Sequence, residues 1–293
     1  MYIACMLIWG LNFIAVKIQG TEAPLEVSLL YRSIIAFVLF YLLLKVKKIK
    51  IEKGNINFLT VVGFGICNFA ISYLLLYYGT IYSTAALVTL IFSLKAIITP
   101  IFLSIVFKTK LERKIYLGGS LGLLSVIVIL YPDLHTISSN FILGIILAFI
   151  GTIITSVGDT LSYYNNKKQI EPITANTIGM FAAIIIMTLI SLFSGKDIHF
   201  PTTLNYWIGL LYLAILASFV AWLFYLYLIK NVGAAESSYM VAMFPAIGGF
   251  ASVMMGESQL SIHLTVGIIL AMLGAYIALS KKNHKNILFN VPK

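Results

Sequence analysis

About ten stretches of this chain are each apolar over a length that crosses a bilayer, and short polar loops separate them. A spanning helix needs about 20 mostly apolar residues. Read this way, the spans fall near 2–18, 25–44, 57–78, 84–107, 116–131, 141–163, 173–193, 205–229, 235–255 and 262–280. Lipid offers the backbone no hydrogen-bond partner, so such runs must be helices. A membrane β-barrel would show short alternating stretches instead. With 60% hydrophobic and 10% charged residues, the composition excludes an ordinary soluble domain. The fold class expected is an all-α polytopic membrane protein with ten transmembrane helices, embedded in the lipid of the cell (inner) membrane.

A net charge of +10 in a soluble chain would suggest a nucleic-acid partner. Here the cations sit in loops on alternate sides, which argues against one. Lys45, Lys47, Lys48, Lys50 and Lys53 follow the second span, and Lys108, Lys110, Arg113 and Lys114 follow the fourth. Lys167 and Lys168, Lys230, and Lys281, Lys282, Lys285 and Lys293 continue the pattern. The opposite loops carry Lys17, Lys196, His135, His199 and His263. The positive-inside rule places both termini in the cytoplasm. Cys5 and Cys67 lie in apolar runs without a second ligand nearby, so they read as core residues; no disulfide, metal or cofactor is expected. The first segment reads as a full span with no small-residue cleavage pattern after it.

The chain divides into halves of five spans, 1–134 and 135–281, with a cytoplasmic tail at 282–293. Gly118 and Ser125 in the fifth span match Gly267 and Gly274 in the tenth in spacing, two helical turns apart on one face. Such small residues let neighbouring backbones approach closely. An odd number of spans per half turns the second half upside down, the 5+5 inverted-repeat plan of many secondary transporters.

The first span reads Leu7-Ile8-Trp9-Gly10-Leu11-Asn12-Phe13, then Lys17, Pro24 and Arg32. The second half carries Gly233-Ala234-Ala235, Ser238, Tyr239, Pro245 and Gly256-Glu257. In order and spacing the chain resembles an EamA-type member of the drug/metabolite transporter superfamily, over essentially its whole length. The resemblance implies a ten-helix carrier that moves small metabolites or amino acids by alternating access. The first half departs from that pattern: Phe92-Ser93-Leu94-Lys95 stands where the family has a proline, with Pro100 displaced, and Lys108-Thr109 replaces Gly-Glu.

The departure leaves a lysine midway along the fourth span. A lysine at the bilayer centre costs at least about 2.5–3.5 kcal/mol on insertion scales, so Lys95 should face a polar cavity or a partner. Asp159 is the one acid well inside a span and could take a substrate amine or a proton; pairing with Lys95 or Arg32 is the structural alternative. Glu26, Glu236 and Glu257 read as interfacial. Arg32 reads as snorkelling to the interface or capping carbonyls near Pro24. Trp9 and Asn12 share a face of the first span, and Asn68 and Tyr73 add polar groups in the third. Trp222, Tyr225 and Tyr239 are the aromatics placed to line a cavity for an organic substrate. Pro245 reads as a hinge in the ninth span.

The function expected is secondary transport of amino acids or related small metabolites, amphipathic or zwitterionic. Lys95 would hold the carboxylate and Asp159 the amine, and protons are left open as the coupling ion. A carrier of S-adenosylmethionine-type nucleoside metabolites would use the same residues. An integral membrane enzyme is the alternative of a different class, but the sequence has no nucleophile–base pair or metal spacing on a common face. No G-x-x-x-x-G-K-[ST] stretch is present, so the chain brings no ATP site of that kind.

Overall fold

A backbone in hydrocarbon must close its own hydrogen bonds, and the regular elements among the described residues are all helical. The computed structural model describes residues 1–49, 57–108, 110–131, 138–196, 198–232 and 239–279, excluding the side chains of 226, 229–232, 239, 242 and 279. Among the described residues eight helices are long and apolar enough to cross a membrane: Tyr2–Gln19, Leu25–Val46, Phe58–Tyr82, Ala85–Phe107, Arg113–Leu130, Ser139–Lys167, Pro172–Phe193 and Leu204–Tyr225. They are called the first to eighth spans below. Two shorter apolar helices follow, Phe244–Met254 and Ile262–Ala278. The expected 282–293 tail lies outside the described residues, as do the 233–238 segment and His135.

Several helices start where a side chain closes an orphan backbone N–H. Thr84 accepts from Leu87, Ser138 from Phe141, and Glu171 from Thr174 ahead of Pro172 at the first helical position. The helices are also interrupted, each time in a way that positions the interior. The first span turns at Leu11, between Tyr2–Gly10 and Asn12–Gln19. The fourth breaks at Leu94, between Ala85–Ser93 and Lys95–Phe107. At that break the Leu94 N–H donates to Ile91 three residues back at 3.1 Å, and the Ser93 hydroxyl donates to the Leu90 carbonyl at 2.6 Å. Pro100 lies inside the second segment and gives no donor to the Ala96 carbonyl. The third and eighth spans each contain a widened π-helical segment, Ile66–Ile71 and Tyr212–Val220. At Pro245 a 3-10 turn, Tyr239–Met243, passes into the helix Phe244–Met254, so the proline sits at a change of helix type near the helix start.

Lipid gives no hydrophobic drive between helices, so close backbone packing must hold them. The last described helix lies along the fifth span. A Cβ placed on Gly274 would stand 2.7 Å from the Gly118 carbonyl oxygen, and one on Gly267 would stand 3.1 Å from that of Ser125. The four small residues singled out in the sequence therefore meet face to face. The second span packs along the seventh, the third along the sixth, and the fourth against Phe244–Met254. Large apolar side chains such as Leu42, Phe181, Leu192 and Phe250 point outward, which suits lipid rather than water.

One end of the bundle, which carries Lys17, is tied together by polar contacts. Lys17 pairs with Glu257 at 2.8 Å and donates to the Ser83 carbonyl, while the Ala85 N–H donates to Glu257 at 3.0 Å. Lys196 pairs with Glu26 at 3.2 Å, and Tyr78 donates to the same carboxylate. Glu26, expected at the interface, lies in the first turn of its helix and is 5% exposed, because Tyr78 and Lys196 cover it. The Tyr78 hydroxyl, followed by the Glu26 carboxylate, holds the Lys196 ammonium above its ordinary range.

Glu22, in the loop after the first span, accepts from the Thr203 hydroxyl and the Thr202 and Thr203 N–H groups. The Thr203 hydroxyl and then the Thr202 N–H lower its pKa from 4.5 to about 2. A carboxyl whose folded pKa is depressed stabilises the fold above its unfolded value and loses that contribution as pH falls through the folded one. Thermal stability is therefore expected to decline between pH 4.5 and pH 2 less steeply in Glu22→Gln than in the native protein. Identical slopes in a paired pH titration would count against this link.

Candidate functional site

The break at Leu94 puts Lys95 on the first turn of a new helical segment, and the unbroken sixth span carries Asp159 opposite it. Lys95 Nζ and Asp159 Oδ2 are 2.9 Å apart, with side chains 18% and 16% exposed. The ammonium also lies 5.0 Å from the Phe92 ring centroid. The two charges picked out in the sequence thus satisfy each other, which is the structural alternative stated for Asp159. Beside them Asn68 projects from the π segment of the third span onto Gly158, where a Cβ would come within 2.5 Å of its amide nitrogen. Asn68 is 1% exposed, and neither side-chain polar atom has a partner. The Thr155 hydroxyl, one turn before Asp159, is likewise unpartnered. Buried polar groups are rarely left this way, so the region is polar beyond what the fold itself requires.

The predicted aromatics converge on one another. Trp9 stands edge-on to Trp222 and Tyr225, with centroids 5.6 and 5.3 Å apart, and Trp222 meets Tyr225 at 6.0 Å. The Trp222 indole donates to the Tyr73 hydroxyl at 3.4 Å. The Trp9 indole donates to the Ala217 carbonyl within the second π segment at 3.0 Å. Such edge-on pairs contribute about 0.5–1.5 kcal/mol each beyond their burial. They also set the rings in fixed, mutually perpendicular walls. Asn12 stands half-buried at the Leu11 turn and joins none of these contacts. Tyr239 opens the 3-10 turn, and its side chain lies outside the described ones.

Arg32 corrects the sequence reading. It does not snorkel: it is 1% exposed and reaches inward from the second span. Its Nε donates to Ser218 Oγ at 2.8 Å and its Nη1 to the Tyr77 hydroxyl at 3.3 Å. The guanidinium carbon lies 4.2 Å from the Tyr73 ring centroid. These partners favour the interior because a ring face and two hydroxyls there replace the water that the interface would supply. Sequence reasoning passed over Ser218 and Tyr77. The signal available was the arginine itself, since an ionisable residue inside a span is by default a functional candidate.

A cavity of about 170 Å³ opens elsewhere, among Thr60, Phe102, Val157, Leu161 and Tyr164 near the end opposite Lys17. Its walls are mostly apolar, and none of the predicted site residues lines it. No group of three or more histidine, cysteine, aspartate or glutamate side chains suited to a metal occurs among the described residues.

Known proteins are similar to this chain. An uncharacterized transporter, YyaM, of Bacillus subtilis (strain 168) is 23% identical over 236 residues, covering 80% of this chain and 76% of its own length. An uncharacterized transporter of Archaeoglobus fulgidus is 24% identical over 280 residues, 94% of this chain and 95% of its own. A solved crystal structure superposes with a TM-score of 0.68 at 17% identity, covering 94% of this chain and 95% of that one, and so shares the fold. The model of the EamA-like transporter family matches residues 1–131 and 142–280. With eight membrane-length helices and a family match over nearly its whole length, this multi-pass membrane chain belongs to the EamA-like transporter family, within the drug/metabolite transporter superfamily.

Proposed function

We propose that the protein is a secondary carrier of amino acids or related small metabolites in the cell membrane. It works by alternating access between two inverted five-helix halves, 1–134 and 135–281, with both termini in the cytoplasm. The halves are supported by the two stretches of the family match, 1–131 and 142–280. They are supported as well by elements that recur five spans apart. The π segments fall in the third and eighth spans, and the fifth span lies against the last described helix. The cationic loops support the orientation.

The observation that carries the substrate reading is the Lys95–Asp159 pair, which joins one half to the other, and Phe92 beside Lys95 shares an apolar cluster with Trp9 and Tyr225. A zwitterion brings its own two charges, so its carboxylate can replace Asp159 at Lys95 while its ammonium replaces Lys95 at Asp159. Asn68 and Thr155 supply spare hydrogen-bonding capacity, and Trp9, Tyr73, Trp222 and Tyr225 supply the walls for a side chain. Tyr239 belongs to the same proposed lining, and Pro245 to the hinge.

Counterflow in proteoliposomes tests this. The native protein, preloaded with an unlabelled amino acid, is expected to accumulate the labelled form saturably, and Lys95→Ala to lose at least about tenfold in rate. Exchange that survives Lys95→Ala unchanged would move the site away from the fourth span. Saturable exchange of S-adenosylmethionine with no amino acid exchanged would favour the nucleoside class instead.

A further inference from the structure

Among the described residues one cation within the bundle stands without a counter-charge. Lys17 is matched by Glu257, Lys95 by Asp159 and Lys196 by Glu26. Arg32 is matched by no carboxylate among the described residues, although it is the most completely buried of these cations. An arginine keeps its charge at any pH the protein meets. Its contacts are neutral: two hydroxyls, from Ser218 and Tyr77, and the face of Tyr73. Those contacts orient the guanidinium but leave Nη2 without an acceptor. A buried charge that is neither paired nor fully hydrogen-bonded is among the least favourable arrangements in a protein interior, and an anion relieves it. The planar fork of an arginine is shaped for an oxyanion, whether carboxylate or phosphate.

The position of Arg32 ties it to the aromatic group. Tyr73, stacked on the guanidinium, accepts from the Trp222 indole, and Trp222 meets Trp9. The partners also come from both halves of the chain: Arg32, Tyr73 and Tyr77 from one, Ser218 and Trp222 from the other.

We infer that Arg32 is an anion-binding position and that the carried molecule is net anionic: an amino-acid-like solute with one carboxylate or phosphate more than its ammonium groups. This rests on the carrier reading above and narrows it. The zwitterionic part exchanges with the neutral Lys95–Asp159 pair, and the additional oxyanion neutralises Arg32. A neutral amino acid leaves the arginine unpaired, and a cationic solute such as S-adenosylmethionine adds to the excess positive charge.

The test is counterflow with the native full chain in proteoliposomes, with the membrane potential held at zero. Glutamate is compared with glutamine, which has nearly its shape without the charge, O-phosphoserine with serine, and S-adenosylmethionine serves as the cationic probe. At least one anionic member is expected to exchange about tenfold or more better than its neutral partner. The glutamate and O-phosphoserine arms separate a carboxylate from a phosphate requirement. In Arg32→Gln the preference is expected to fall to about unity, and Arg32→Lys, which keeps charge without the fork, to retain part of it. The native comparison stands even if Arg32→Gln does not fold. Equal or better exchange of the neutral or cationic members, or an anion preference unchanged in Arg32→Gln, overturns the anion assignment and leaves the carrier reading in place. No saturable exchange of any member overturns the carrier reading for this class of solutes, and the inference with it.

Discussion

Replacing Lys95 by Met while Asp159 remains is expected to destabilise the folded protein by about 3–5 kcal/mol, the range for a buried pair broken from one side. The loss should fall toward the lower end, because the two side chains keep 18% and 16% of their exposure. Adding Asp159→Leu to Lys95→Met is expected to recover most of it, since two apolar side chains satisfy each other where a lone carboxylate cannot. Denaturant unfolding in detergent micelles, run as a double-mutant cycle, measures both steps. If the double variant is no more stable than the single one, the two residues do not interact as their 2.9 Å separation implies. Combined with counterflow, the cycle separates two roles. A double variant that regains stability without exchange marks the pair as part of the transport site. One that regains both marks it as an assembly contact.

The second large effect is expected where backbones meet. Gly274→Leu drives a side chain toward the Gly118 carbonyl at 2.7 Å and the Gly122 N–H at 3.1 Å. Backbone atoms cannot rotate out of the way, so the last described helix must lift off the fifth span. Overpacking of a close interface costs about 1–3 kcal/mol and occasionally more, and this site belongs at or beyond the top of that range. Gly119→Ala is the control. Only the Ile97 side chain lies near, at 3.2 Å, and the gain of about 1 kcal/mol in helix propensity offsets its displacement. Thermal unfolding of the purified proteins should rank native and Gly119→Ala together and Gly274→Leu far below. Equal midpoints for Gly274→Leu and the native protein would contradict the close approach.

Much of the fold was legible because a spanning helix declares itself by length and hydropathy alone. The small-residue faces at Gly118 and Gly274 were legible for a related reason: two helical turns of spacing put residues on one face whatever the partner is. The interruptions were legible only in part. Pro100 and Pro245 announce a disturbed ladder, but Lys95 gives no sign that it begins a segment. Nothing in Ile66–Ile71 or Tyr212–Val220 distinguishes a π turn from an α turn. The Lys95–Asp159 pair was legible only as one alternative, because a substrate carboxylate and amine would satisfy the same two charges and the sequence does not show which helices are neighbours. Arg32 was misjudged because a sequence shows how far a residue lies from its helix end and not what surrounds it. Ser218 and Tyr77, which draw it inward, lie 186 and 45 residues away. The cover on Glu26 was hidden in the same way, coming from Tyr78 and Lys196.

The contacts at the Lys17 end carry a thermodynamic consequence. At that end Lys17–Glu257 and Glu26–Lys196 join separate helices, and Glu22 reaches across to Thr203. Ion pairs open in part to water contribute about 0–1 kcal/mol each. The two ion pairs together contribute about 0–2 kcal/mol, so they fix which helix ends meet more than they stabilise the bundle. Because salt screens surface charges, raising ionic strength should weaken these links and speed backbone hydrogen exchange at the helix ends they join. The ionic surroundings thus set how firmly that end of the bundle is held.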